Sequence, residues 1–342
     1  MIVRFALLGA GRIGKAHARA VSGNPQARLV AVADALPEAA ADLAAHYGAE
    51  VRGLDAIAAA EDIDAVLICT PTDTHADLIQ RFARAGKGVF CEKPVDLSLP
   101  RVQETLRVVE ETGATLMVGF NRRFDPHFRA LKAAIDAGRI GKVEMVQITS
   151  RDPGAPPVSY IARSGGLFRD MTIHDFDMGR WLLGEEPAAV MATGSVLTDP
   201  AIGAAGDIDS ATVILTTASG RQCVISNSRR ATYGYDQRIE VLGSEGAVFA
   251  ENAHETLVSV ATAEGFARPP ILNFFMERYA AAYAAEIETF VAALVEGTPP
   301  PATGRDGLMA LALADAAAKS LAEGRLVRLS EILADAPAEP VQ

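Results

Sequence analysis

Apolar and polar positions follow two rhythms along the chain, one before residue 120 and one after it. In the first stretch, short apolar runs predict buried strands at 3–8, 28–33, 65–69, 89–91 and 115–120. Between them lie helical patterns at 15–21, 37–47, 74–85 and 97–112. Asn24-Pro25, Gly48, Gly86 and Gly113 stop these helices in turn. Strands alternating with helices predict a parallel, doubly wound sheet of the α/β class over residues 1–120. Such a sheet binds its ligand beyond the carboxyl ends of its strands. Thr70-Pro71-Thr72, Glu92-Lys93-Pro94 and Asn121-Arg122-Arg123 all fall at those ends.

After residue 120 a helix at 126–137 and a glycine turn at 138–141 lead to a strand at 143–149. A proline- and glycine-rich loop at 151–157 precedes an amphipathic helix at 170–183, stopped by Gly184, with Met178, Trp181 and Leu182 as its apolar stripe. Period-two runs then predict strands at 189–196, 210–217, 222–228, 237–242 and 247–252, with hairpin turns at 218–220 and 243–246. Alanine-rich helices at 275–296 and 304–322 follow, and residues 335–342 read as a frayed polar tail. Residues 121–342 therefore read as an α+β domain with a mostly antiparallel sheet, helices on one side. Sets such as Ala211, Val213 and Leu215 need cover on the other face, which sheet-on-sheet pairing between subunits would supply.

Composition narrows the class. The 342 residues carry a net charge of −11, which disfavours nucleic acid and anionic membrane surfaces as partners. No apolar run is long enough to span a membrane, and no secretory leader pattern opens the chain, so a cytoplasmic protein is expected. Three cysteines without a Cys-x-x-Cys spacing suggest neither a disulfide framework nor a thiolate metal site.

The first strand runs into Gly9-Ala-Gly11-Arg12-Ile13-Gly14, the strand–turn–helix fingerprint of a dinucleotide-binding Rossmann domain. Gly9 would allow the tight turn, Gly11 the approach of a pyrophosphate, and Gly14 the packing of helix on strand. Asp34 ends the second strand and can accept from both ribose hydroxyls while repelling a 2′-phosphate; Ala35 and Leu36 offer that phosphate no guanidinium. NAD is thus favoured over NADP. Asp170 and His174 stand four residues apart, on one face if the helix is regular. That pair suits a proton acceptor with its carboxylate, a metal ligand, or a helix cap with a packed imidazole. Neighbouring His174, Asp175 and Asp177 diverge around a helix, so no metal is expected. An imidazole, with an ordinary pKa of about 6.5, is a better base at neutral pH than an ammonium, which instead stabilises developing alkoxide charge. His174 is accordingly expected as general base, with Lys93 as the alkoxide's partner and Asp170 orienting a polyol.

GAGRIG at 9–14, CTPTDTH at 69–75 and CEKP at 91–94 resemble the glucose–fructose oxidoreductase/inositol dehydrogenase (Gfo/Idh/MocA) family of NAD(P)-dependent sugar oxidoreductases. The likeness covers nearly the whole chain and weakens after about residue 265. It implies a catalytic Lys93, Asp170 and His174, and a cofactor site including Thr70, Pro71, Thr72, His75, Glu92 and Lys93. It also implies substrate contacts from Asn121, an arginine of Arg122 and Arg123, Asp152, and a tyrosine of Tyr233 and Tyr235. Arg229 and Arg230 are read as surface or interface residues. Assembly as a homotetramer through the C-terminal sheet is implied too. GFNRRFD at 119–125 and DMTIHDFDMGRWLLGEEP at 170–187 are most similar to the family's bacterial inositol branch, which implies oxidation of myo-inositol to 2-keto-myo-inositol. The same chemistry on scyllo- or chiro-inositol or an aldopyranose, a non-catalytic NAD(P)-binding sensor, and dehydration or glycoside cleavage by transient oxidation are the alternatives.

Overall fold

The computed structural model describes residues 1–334; the expected polar tail at 335–342 lies outside the described residues. Two compact units divide the chain, 1–125 with 280–311, and 126–279 with the residues from 312 on. The first division thus falls at Asp125 rather than at 120, and a later segment rejoins the first unit.

In the first unit six strands pair in the order β3-β2-β1-β4-β5-β6: β1 (Val3–Leu8), β2 (Ala27–Ala33), β3 (Glu50–Val51), β4 (Ala65–Ile68), β5 (Gly88–Glu92) and β6 (Leu116–Gly119). Every pairing is parallel. Helices α1 (Arg12–Gly23), α2 (Pro37–Tyr47), α3 (Leu54–Ala59), α4 (His75–Arg84) and α5 (Leu99–Thr112) connect them. This is the doubly wound fold that the alternation predicts; β3 and α3 are too short for a periodic signal. The central strands β1 and β4 are almost wholly buried, as a sheet covered on both faces requires. Part of that cover is the helix Ala280–Glu296, whose Phe290 ring lies 6.1 Å from Phe5 and 5.9 Å from Phe90. Each such fully buried phenylalanine contributes roughly 1.5–3 kcal/mol, which explains why a distant segment returns to this sheet.

The second unit carries seven strands in the order β12-β11-β7-β10-β9-β8-β15. They are β7 (Val143–Arg151), β8 (Pro187–Ser195), β9 (Ser210–Thr217), β10 (Gln222–Ser228), β11 (Asp236–Gly243), β12 (Gly246–Ala250) and β15 (Val327–Arg328); β13 (Val260–Thr262) and β14 (Gly265–Ala267) make a separate hairpin. All pairings are antiparallel except β7 with β10. Its helices are α6 (Pro126–Asp136), α7 (Val158–Ser164), α8 (Gly166–Asp170), α9 (Ile173–Leu183), α10 (Pro200–Ala204) and α11 (Phe275–Arg278), then, after α12 (Ala280–Glu296) and α13 (Gly304–Glu323), α14 (Leu329–Ala334). The mixed, mostly antiparallel sheet with helices is the expected α+β architecture.

One face differs from expectation. Ala211, Val213 and Leu215 are buried beneath the unit's own helix rather than left for a partner. A Cβ on Gly179 of α9 would lie 3.1 Å from Cys223 Sγ and 3.3 Å from Leu215 Cδ1, so the helix sits close on that side. The alternate residues form the outer face, where Met191, Ile214 and Val224 line up across β8, β9 and β10, and Leu242 pairs with Met145 across β11 and β7. Met145, Met191, Ile214 and Leu242 remain exposed there.

Candidate active site

Three residues turn the chain between β1 and α1. Gly9 has φ +97°, in the region that side chains avoid, and a Cβ there would lie 2.5 Å from the carbonyl oxygen of Cys69. A Cβ on Gly14 would lie 1.9 Å from the carbonyl oxygen of Gly9. On Gly11 a Cβ would meet nothing within 4 Å. Two glycines are therefore required by the chain itself, and the third keeps bare the approach to the start of α1. The unpaired N–H groups and the helix dipole at that end favour an anion. Arg12 is exposed and Ile13 half-buried as they open the helix. Asp34 is fixed beside the turn: Ala10 N donates to its Oδ2 at 2.6 Å and Leu36 N to its Oδ1 at 2.7 Å. Each carboxylate oxygen retains a lone pair for a ribose hydroxyl. The turn and its acid thus fit the pyrophosphate and ribose of NAD.

The neighbouring strand ends are braced from below. Thr70 and Thr74 hydroxyls meet at 2.6 Å, and Thr74 Oγ1 donates to the Pro71 carbonyl at 2.7 Å, just before Thr72 starts a short 3₁₀ turn. His75 is buried, with Nδ1 2.7 Å from the Pro94 carbonyl and Nε2 2.8 Å from the Thr70 carbonyl. Both ring nitrogens are thus used to hold the loop after β4 against the loop after β5, so His75 braces the two loops rather than reaching out of them. Lys93 lies in that second loop, half-buried, joined to Pro94 by a cis peptide. Glu92, expected beside the cofactor, turns inward: its Oε1 lies 2.6 Å from Nε2 of the buried His17. Glu286 is fully buried in the same unit, and desolvation, aided by the charge of Glu92, pushes its carboxyl well above the usual range.

Asn121, Arg122 and Arg123 are all buried in a 3₁₀ turn after β6. Arg123 donates to the Pro301 carbonyl at 2.8 Å and to Asp306 Oδ1 at 2.9 Å, so its guanidinium serves the unit's own structure. The Oδ1 of Asn121 has no hydrogen-bond partner among the described residues, which suits a group kept for a ligand.

In the second unit Asp170 and His174 do not share one regular helix. Asp170 closes α8, His174 is the second residue of α9, and Met171 and Thr172 form a turn between them. The N–H of Thr172 reaches back five residues to the Leu167 carbonyl, at 3.0 Å, and Thr172 Oγ1 donates to Asn227 Oδ1 at 2.7 Å. A buried tether to β10 thus interrupts a pattern that sequence periodicity reads as continuous. Asn227 Nδ2 donates in turn to Asp175 Oδ2 at 2.8 Å, and buried Asp177 lies 4.0 Å from Arg180, so each carboxylate has a protein partner of its own. Among the described residues no three His, Cys, Asp or Glu side chains converge as a metal site.

Around Asp170 the structure gathers residues that the sequence does not single out. Tyr160 of α7 donates to Asp170 Oδ1 at 2.8 Å, and desolvation, aided by Asp170, raises its phenol. Arg229, expected at the surface, is 1% exposed and donates to Asp170 Oδ2. Only Arg230 is exposed. Asp152 follows β7, half-buried, and its charge also bears on Tyr160. Tyr233 is half-exposed, accepting from Arg151 at 3.1 Å and donating to Asp236 Oδ2 at 2.6 Å. Tyr235 is buried edge-to-face against Tyr279, ring centroids 5.9 Å apart. Tyr160 is hidden in the sequence because the proline-rich loop masks the start of α7.

The model of the oxidoreductase family with an NAD-binding Rossmann fold matches residues 3–120, and that of the GFO/IDH/MocA C-terminal domain matches 128–249. The chain is similar to the inositol 2-dehydrogenase of Rhizobium meliloti (strain 1021), 68% identical over 96% of this chain and 100% of the relative. It is 46% identical to the myo-inositol 2-dehydrogenase of Thermotoga maritima, over 97% of this chain and 100% of the relative. Among solved structures, the scyllo-inositol dehydrogenase of Lactobacillus casei with bound NAD(H) and scyllo-inositol superposes with a TM-score of 0.90 at 30% identity, covering 96% of this chain and 100% of the other.

Proposed function

Because the chain belongs to the GFO/IDH/MocA family of NAD-binding oxidoreductases, we propose that it oxidises myo-inositol to 2-keto-myo-inositol with NAD. The observation that carries this reading is the full-length likeness to inositol dehydrogenases from two organisms. The residues supply a mechanism to go with it.

NAD, when bound, accepts the hydride from the alcohol carbon. Gly11 and the start of α1, on the turn that Gly9 and Gly14 allow, would hold its pyrophosphate, and Asp34 its adenosine ribose. The hydroxyl proton goes to His174, a half-buried imidazole at the start of α9. Lys93 stabilises the charge that develops on the oxygen as the proton leaves. Asp170 accepts from a second hydroxyl and orients the ring, a role that a carboxylate fills well for a substrate with many donors. Of the residues after β6, we assign Asn121 and one arginine of Arg122 and Arg123 to the polyol, supported by the buried Oδ1 of Asn121, which has no hydrogen-bond partner among the described residues. The diffusible NAD pool of the cytoplasm is the setting that this chemistry suits. We assign the outer row of Met191, Ile214 and Val224 to subunit contacts in a homotetramer, supported by the exposed side chains of Met191 and Ile214.

A panel of inositols and aldoses with NAD or NADP, followed at the reduced-nicotinamide absorbance, tests the reading. Highest kcat/KM is expected for myo-inositol with NAD. Turnover of scyllo-inositol alone would move the substrate to the stereoisomer bound in the Lactobacillus structure. Failure on every polyol would remove the enzymatic reading.

A further inference from the structure

Arg229 follows β10 and is 1% exposed, one of the largest fully buried side chains in the protein. Its Nη1 and Nη2 donate to a single oxygen of Asp170, Oδ2, at 3.2 and 3.3 Å. Nη2 also lies 3.6 Å from Asp207 Oδ2. Asp207 in turn accepts the backbone N–H of Leu167 through Oδ1, at 3.0 Å. A Cβ on Gly166 would lie 2.9 Å from that same Oδ1, so a side chain there would push the carboxylate away. One buried cation therefore ties both ends of the five-residue α8: the first turn through Asp207, and the last residue, Asp170, directly.

The remaining oxygen of Asp170 accepts from Tyr160 at 2.8 Å. Among the groups around Asp170 are Tyr160 on α7 and Arg229 after β10, with Asp207 behind the arginine before β9 and Asp152 after β7, whose charge bears on Tyr160. A guanidinium without countercharge is not stable in such a place, and two carboxylates facing each other without it would repel. Its rigid fork also fixes direction, which a lysine ammonium does less well. The carboxylate is therefore held at both oxygens, by the guanidinium at Oδ2 and by the phenol at Oδ1.

We propose that Arg229 is a positioning residue for the reaction: anchored by Asp207 and assisted by Tyr160, it fixes the carboxylate of Asp170 in the orientation that receives a substrate hydroxyl. This rests on the reading that Asp170 touches the polyol.

The test compares Arg229→Met, Arg229→Lys, Tyr160→Phe and Asp170→Asn in the full chain, with rates per NAD-binding site and NAD affinity measured separately. Arg229→Met should lose about 10²-fold in kcat/KM for myo-inositol, the scale of a misplaced orienting group, while NAD affinity stays at the wild-type value. Arg229→Lys should regain part of that loss, because charge is restored without the fork. Tyr160→Phe, a change at a half-exposed hydroxyl, should raise KM for the polyol more than it lowers kcat. If Arg229→Met lowers the melting temperature but leaves kcat/KM per site unchanged, the role is structural and the proposal falls. If that variant does not fold, Tyr160→Phe decides: unchanged KM and kcat overturn the proposal. Full activity in Asp170→Asn would instead overturn the assignment of Asp170 on which it stands, an outcome distinct from failure at Arg229 alone.

Discussion

Nε2 of His17 on α1 meets Oε1 of Glu92 at the end of β5 at 2.6 Å, one residue before Lys93. The glycine-turn helix and the lysine-bearing loop are therefore fastened to each other by a buried contact within the first unit. Glu286 on α12 lies in the same interior, and neither of its carboxyl oxygens has a hydrogen-bond partner among the described residues.

Burial first, and then the charge of Glu92, hold Glu286 protonated above the ordinary carboxylate range. The unfolded chain releases that proton earlier, so it binds fewer protons than the folded protein, and stability falls as pH rises through this interval. The stabilising share of Glu286 is complete below the ordinary range and lost toward its raised value. Glu286→Gln removes this dependence, so its melting temperature should fall less than that of the wild type as pH is raised from about 5. Parallel melting profiles for the two proteins would show that Glu286 is not held neutral.

The glycines of the turn separate stability from binding. Gly14→Ala places a methyl against the Gly9 carbonyl, where a Cβ would stand 1.9 Å away. Forced overpacking of this kind costs ~1–3 kcal/mol, visible as a lower melting temperature without NAD. Gly11→Ala meets no protein atom within 4 Å, so it should melt normally and lose affinity for NAD. Calorimetry with and without NAD distinguishes them; the opposite pattern would mean that the pyrophosphate does not lie over Gly11.

Asp34 both pins the turn and selects the cofactor. Asp34→Asn keeps an oxygen for one of the two backbone donors, so the loss of stability should stay near ~1 kcal/mol. The ratio of kcat/KM for NAD over NADP should drop on the order of tenfold, the factor that 1.4 kcal/mol represents. An unchanged ratio would leave Asp34 as a structural acid only.

Proton removal and charge stabilisation are assigned to different residues, and the variants should differ accordingly. His174→Ala should lose about 10²–10⁴-fold in kcat and recover in part as pH rises and hydroxide takes over as base. Lys93→Ala should lose activity on the same scale while still binding NAD, measured by fluorescence titration. Near-normal turnover in Lys93→Ala, or a pH-independent loss in His174→Ala, would redistribute these roles.

Much of the fold is legible because period and punctuation report local structure. The strand at 210–217 and the helix at 37–47 coincide with the observed β9 and α2, since alternation and bounding proline and glycine residues suffice there. The turn at Gly9, Gly11 and Gly14 is legible for the same reason: its constraint is steric and lies within a few residues. What escapes the sequence depends on distant partners. Asn227 breaks the helix between Asp170 and His174 from 52 or more residues away. Arg229 looks like half of a surface pair until Asp170 and Asp207 are seen around it. Residues 280–311 join the first unit through rings such as Phe290, which no local pattern announces.

The central claim, hydride transfer from a ring carbon of myo-inositol to NAD, is tested most directly with substrate carrying deuterium at C2. Label should appear in the reduced nicotinamide, accompanied by a primary isotope effect and formation of 2-keto-myo-inositol. Turnover that leaves the label on the sugar, or returns it to water, would contradict oxidation at that carbon.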